Sequence, residues 1–156
     1  MNHKAKILIV DDEEVVRLSY LRILGATDCH VKAVGSWTQV AQVMQQEPYD
    51  LVLLDLRMPE VDGMTVLRAL KQRWPESEVI IITGYPTIES AKEAVALGAW
   101  DYLTKPVGPE QVIEASNAAM QHKGWALHSD SGSPGGTDQS VAAGLPNQPV
   151  FLRTAS

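Results

Sequence analysis

The sequence predicts an α/β fold in which a doubly wound, five-stranded parallel sheet carries helices on both faces. Three observations predict it. First, short apolar runs such as Ile7-Leu8-Ile9-Val10, Leu51-Val52-Leu53-Leu54 and Val79-Ile80-Ile81-Ile82 are bounded by turn signals, the mark of strands buried on both faces. Second, strand and helix patterns alternate five times between residues 5 and 122. Third, strands end in polar signatures: Asp11-Asp12, Asp55, Thr83-Gly84 and, after Tyr102-Leu103-Thr104, Lys105-Pro106. Functional groups of such sheets gather outside the carboxyl ends of the strands. Three carboxylates, a hydroxyl and an ammonium therefore meet at one edge, where they suit a divalent cation and a phosphoryl group.

The elements follow in order. Strands are predicted over 5–10, 29–34, 50–55, 78–83 and 100–104. The second is interrupted by His30 and Lys32, with the alternation of an edge strand. The first helix places Val16, Ser19, Tyr20, Ile23 and Leu24 on one stripe and is expected to stop at Gly25. The second, over 36–46, has Ser36 as N-cap and turns Val40, Val43 and Met44 inward. The third, over 62–73, starts at Asp62-Gly63, buries Met64, Leu67 and Leu70, and halts before Trp74-Pro75. The fourth, over 87–97, follows Pro86-Thr87 and ends at Gly98. The fifth, over 109–122, opens on Pro109 and continues through Val112, Ile113, Ala115 and Ala119. The expected topology is flavodoxin-like, order 2-1-3-4-5, with a switch point between strands one and three. Asp11-Asp12 and Asp55 end those two strands.

The bulk numbers narrow the functions. A length of 156 residues supports one domain with a full core and a modest appendage. A net charge of −6, with no Lys/Arg cluster, argues against direct binding to nucleic acid. Cys29 is the only cysteine, so no intramolecular disulfide forms, as suits a reducing compartment. The apolar run before Asp11 is too short for a signal-peptide core or a membrane span, so the expected location is cytoplasmic. Composition shifts near Gly124. The expected division is a domain over 1–123 and a Gly/Ser/Pro-rich flexible tail or linker over 124–156, with Val150-Phe151-Leu152 as its one apolar patch.

Over roughly residues 4–122 the chain resembles the receiver domain of two-component response regulators. The resemblance rests on Asp11-Asp12, Leu53-Leu54-Asp55-Leu56-Arg57-Met58-Pro59, Asp62-Gly63, Thr83-Gly84, Gly98-Ala99 and Tyr102-Leu103-Thr104-Lys105-Pro106, in that order. It implies that Asp55 is the phosphoacceptor. Asp12 and Asp55 would ligate Mg²⁺ (or Mn²⁺) directly, Asp11 through water, and Arg57 through its backbone carbonyl, its side chain being incidental. Lys105 would pair with Asp55 and then with the phosphoryl oxygens, aimed inward by a cis Lys105-Pro106 bond. Thr83 would donate its hydroxyl to the phosphoryl group and Gly84 would leave room for it. Tyr102 would fill the space that Thr83 vacates, so that the fourth helix, fifth strand and fifth helix form the switching face. Trp100, two residues earlier, is expected on the same strand face as Tyr102, as packing.

Each residue also has a plainer reading. Asp11-Asp12 alone could be an acidic helix start, Thr83 an ordinary strand end and Lys105 a solvated surface charge. The four histidines, His3, His30, His122 and His128, lack metal-ligand spacing, so a phosphodonor histidine must come from a sensor histidine kinase or phosphotransfer protein. A phosphohydrolase with an aspartyl-phosphate intermediate needs an acid two residues after the nucleophile, where Arg57 stands. A flavin site would be repelled by Asp11-Asp12-Glu13-Glu14. A non-phosphorylated receiver used as an interaction module would lack an acid or the lysine, and both are present. The stretch from Pro86 to Ala91 and Gly98-Ala99-Trp100-Asp101-Tyr102 are similar to receivers of enhancer-binding transcription activators. The expectation is a stand-alone regulator or a receiver without its output domain, open to phosphorylation-dependent homodimerisation. It would be a signalling phosphoacceptor with only self-directed phosphotransfer and autodephosphorylation, not a metabolic enzyme.

Overall fold

The computed structural model describes residues 4–59 and 61–123. Strands and helices alternate as β1 (Ala5–Val10), α1 (Glu14–Gly25), β2 (Cys29–Val34), α2 (Trp37–Gln46), β3 (Leu51–Leu54), α3 (Gly63–Arg73), β4 (Glu78–Thr83), α4 (Ile88–Ala96), β5 (Asp101–Thr104) and α5 (Pro109–His122). The strands are all parallel, in the order β2-β1-β3-β4-β5. The continuous apolar runs of β1, β3 and β4 take the three central places. There both faces are covered, and burying a Leu or Ile side chain contributes about 1.5–3 kcal/mol each. β2 lies at the edge, and its His30 and Lys32 are exposed.

Two cores result from the pleat. Leu8, Val10, Val52, Leu54, Val79 and Ile81 face one way and pack against Val40, Met44, Leu67, Leu70 and Ala94 of α2, α3 and α4. Ile7, Ile9, Leu51, Leu53, Ile80 and Ile82 face the other and pack against Tyr20, Leu24, Val112, Ala119 and Met120 of α1 and α5. Ser36 caps α2 by accepting the Gln39 N–H at 3.2 Å. Thr87 and Ser90 form a capping box at the start of α4. Gly98 ends α4 at φ 100°, a conformation that favours glycine.

Helix α1 ends where the sequence predicts, while two other expectations differ from the structure. Gly25 is the last helical residue of α1. The chain then leaves through Ala26, with the Thr27 N–H and hydroxyl both donating to the Leu24 carbonyl. Ser19 is exposed rather than inward, because α1 stands off the Pro106-Val107 segment there and leaves a groove of about 400 Å³. Trp100 does not share a face with Tyr102. It precedes the first residue of β5, so strand alternation does not reach it, and it packs with the α1/α5 core while Tyr102 joins the other. Tyr102 is buried, at 7% exposure. The expected tail over 124–156, its Val150-Phe151-Leu152 patch, His3 and His128 lie outside the described residues.

Candidate functional site

The carboxyl ends of β1, β3, β4 and β5 open on a cleft of about 490 Å³, lined by Asp12, Glu13, Asp55, Arg57, Gly84 and Lys105 among others. β1 delivers Asp11 and Asp12 and β3 delivers Asp55, so the acidic groups come from neighbouring central strands. One carboxylate oxygen from each of Asp11, Asp12 and Asp55 lies within 4.8 Å of the others. Asp11 and Asp55 are buried and Asp12 is exposed. Neither Asp11 nor Asp12 caps α1: the N-cap is Glu13, with no side-chain cap bond, and the Glu13 N–H donates to Asp11 Oδ1 at 2.9 Å. An all-oxygen, carboxylate-rich set of this kind fits a hard cation such as Mg²⁺.

Lys105 sits in the cleft wall, its ammonium 2.9 Å from Asp11 Oδ2 and 3.5 Å from Asp55 Oδ2. It favours Asp11 over the Asp55 partner that the sequence suggested. The Lys105–Pro106 bond is cis, as the resemblance implied, and Pro106 itself lines the groove beside α1 rather than the cleft. Burial opposes the Lys105 charge, yet its hydrogen bond to Asp11 and the two carboxylates outweigh it and raise its pKa. Asp55 is also raised. Burial is the main cause and Asp11 adds to it, against the opposing Arg57 N–H, at 3.2 Å from Oδ1, and Lys105. Lys105 thus offsets only part of what burial and Asp11 do to the Asp55 carboxylate. Beneath Lys105, burial pushes the Tyr20 phenol up to about 12; Lys105 opposes this, and Asp11 and Asp55 reinforce it.

Thr83 is fully buried below the cleft, and its hydroxyl accepts the Tyr85 N–H at 3.0 Å. Gly84 lines the cleft, where a Cβ would lie 3.9 Å from the Lys105 stem. Tyr102 is not in the cleft. Its hydroxyl points to the start of α4, accepting the Thr87 N–H at 3.3 Å and sharing a hydrogen bond with the Ser90 hydroxyl. Sequence reasoning set aside the Arg57 side chain, but its guanidinium stacks 3.9 Å over the Tyr85 ring at the cleft mouth. The available signal was their placement, each two residues beyond a functional residue on adjacent strands. Arg17, which donates to the Asp11 carbonyl at 2.8 Å, was also missed and left no sequence signal beyond its charge.

Comparison with known proteins gives this geometry a family. Residues 7–117 match the response regulator receiver domain. An NtrX-like response regulator of Rickettsia bellii is 38% identical over 109 residues, covering 69% of this chain and 23% of the relative. The response regulator protein PilR of Pseudomonas aeruginosa is 35% identical over 118 residues, covering 76% and 26%. The chain thus spans about a quarter of the length of these relatives. A receiver domain from Clostridium thermocellum superposes with a TM-score of 0.72 at 33% identity, covering 77% of this chain and 97% of that one. A CheY-like receiver domain from Methanospirillum hungatei gives 0.76 at 25% identity, covering 78% and 98%. Receivers of this family are phosphoacceptors of two-component signalling that generally bind Mg²⁺ at an acidic pocket, and this chain carries a cluster of three aspartates. The chain belongs to the response regulator receiver domain family.

Proposed function

We propose that Asp55 accepts a phosphoryl group from a phosphohistidine of a partner histidine kinase or phosphotransfer protein, in a reaction that needs Mg²⁺ or Mn²⁺. The observation that carries this reading is the cluster of Asp11, Asp12 and Asp55 oxygens within 4.8 Å, with the Lys105 ammonium 3.5 Å from Asp55. Attack by the Asp55 carboxylate forms an O–P bond, breaks the donor's P–N bond and leaves the imidazole to take up a proton. Both reactants are anionic where they meet, so charge neutralisation and positioning are what the site must supply. Asp12, Asp55 and the Arg57 carbonyl would hold the cation directly and Asp11 through water. When bound, the cation neutralises charge on the phosphoryl oxygens.

The chain's own groups do the rest. Arg57 N–H fixes the Asp55 carboxylate through Oδ1. Lys105 turns from Asp11 toward the phosphoryl oxygens. The Thr83 hydroxyl, an acceptor toward Tyr85, keeps its own proton to donate. That movement frees space for the Tyr102 ring, breaks its bonds to Thr87 and Ser90, and so transmits the modification to the α4-β5-α5 face. The same cleft admits water to return Asp55 to its free form. In this reading the domain over 1–123 is a cytoplasmic phosphorylation switch.

Acetyl phosphate with Mg²⁺ should add a single phosphoryl group, seen by mass spectrometry. The addition should vanish in Asp55→Asn and on chelation of the metal. A label that survives Asp55→Asn would overturn the assignment.

A further inference from the structure

We infer that Arg17 is a positioning residue for the divalent cation, acting through the Asp11–Asp12 peptide; this rests on reading the three carboxylates as the cation's ligands. Every polar group of Asp11 is engaged. Its N–H donates to the Val34 carbonyl at 3.2 Å, Oδ1 accepts from the Glu13 N–H at 2.9 Å and Oδ2 meets Lys105 at 2.9 Å. Its carbonyl accepts from Arg17 Nη1 at 2.8 Å. Asp12 is the opposite case, exposed and with no hydrogen bond or ion pair from its carboxylate among the described residues. The Asp11–Asp12 peptide sets the point from which the Asp12 side chain starts, and Arg17 holds that peptide by its carbonyl.

Gly35 supplies a second, independent observation. A Cβ at this position would lie 2.9 Å from Arg17 Nη1 and 3.5 Å from Cζ. A methyl group just after β2 would therefore crowd the guanidinium that donates to the Asp11 carbonyl and make it shift. Mg²⁺ demands near-ideal octahedral geometry, so a small rotation of one ligand is costly. Charge alone predicts the reverse: a cationic side chain beside the acidic cluster repels Mg²⁺, and its removal would tighten binding. The two effects have opposite signs.

Calorimetric titration of the full chain with MgCl₂ decides between them, comparing wild type, Arg17→Gln, Gly35→Ala and the double variant, each checked by circular dichroism. Each single substitution should weaken Mg²⁺ binding about tenfold or more, the usual effect of losing a group that orients a metal ligand. The double variant should be no weaker than the weaker single one, because both changes break one hydrogen bond. If Arg17→Gln does not fold, Gly35→Ala, which leaves α1 untouched, carries the test. Unchanged or tighter binding in the variants, or losses that add in the double variant, would overturn the role of Arg17. Wild-type protein that binds no Mg²⁺ would instead overturn the reading of the carboxylates on which it rests.

Discussion

Asp55 is placed where its charge is disfavoured. Burial is the main cause and Asp11 adds to it, so its folded pKa lies above the ordinary carboxylate value of about 3.9. The sign follows from proton binding. The native state holds this proton more tightly than the unfolded chain, so the group's stabilising contribution is full below the unfolded pKa. It is lost as pH rises through the folded value. At neutral pH the ionised Asp55 therefore costs stability. Asp55→Asn keeps the shape and removes the charge, and Lys105 retains Asp11 at 2.9 Å, so no new unpaired cation is created. We expect metal-free Asp55→Asn to melt a few degrees above wild type at pH 7, with the gap closing as pH falls below the wild-type pKa. A variant that melts lower at pH 7 and does not converge in acid would show that the Asp55–Lys105 pair is net stabilising.

The loop between β3 and α3 shows how elements hold the site. Arg57 pairs with Asp62 in an isolated antiparallel bridge, and the Gly63 N–H donates to the Leu56 carbonyl at 3.2 Å. A Cβ on Gly63 would fall 2.6 Å from the Leu56 oxygen and still nearer its Cα, both main-chain atoms that cannot swing aside. Gly63→Ala should therefore cost about 1–3 kcal/mol, the range for an over-packed site. It should also slow phosphorylation, because opening the loop moves the Arg57 carbonyl relative to Asp55. Urea unfolding and an acetyl phosphate time course measure the two effects, and a stable variant with normal phosphorylation would show that the loop yields freely. In the sequence Asp62-Gly63 was legible as a helix start. Its closer role was not, because what demands glycine is the main chain of Leu56 folding back against it.

For the whole molecule, the decisive feature is that α5 completes the core beside α1. Val112, Ala115, Ala119 and Met120 are buried in the same cluster as the inward residues of β1, β3 and β4, and the helix ends at His122. His122 stacks on Trp100 with ring centroids 4.5 Å apart and meets Glu78 at 3.1 Å, which fastens the last turn of α5 to the start of β4. All the site residues are in place before that point in the chain. We therefore expect a chain ended at Lys123 to melt like the full one and to be phosphorylated at the same rate. Removing α5 from Pro109 onward should abolish cooperative unfolding by uncovering the part of that sheet face that α1 does not reach. A fall in stability well beyond about 1 kcal/mol on truncation at Lys123, the scale of a buried apolar side chain, would assign the following segment to the fold.

Strands, helices, their order and the residues at the strand ends were all legible in the amino-acid sequence. These are local signals: four-residue apolar runs for strands covered on both faces, helical spacing for stripes, and caps such as Ser36 and Thr87. Because parallel strands must all end on the same side, even the gathering of Asp11, Asp12, Asp55, Thr83 and Lys105 followed from topology. What depends on distances between remote segments emerged only with the packed fold. Lys105 lies nearer Asp11 than Asp55 although 94 residues separate that pair, Tyr102 is tied to Ser90, and Arg17 reaches back to Asp11 across the space that Gly35 leaves open. No periodicity records such contacts, since they arise only when two packed cores fix the sheet edge against α1, α4 and the connecting loops.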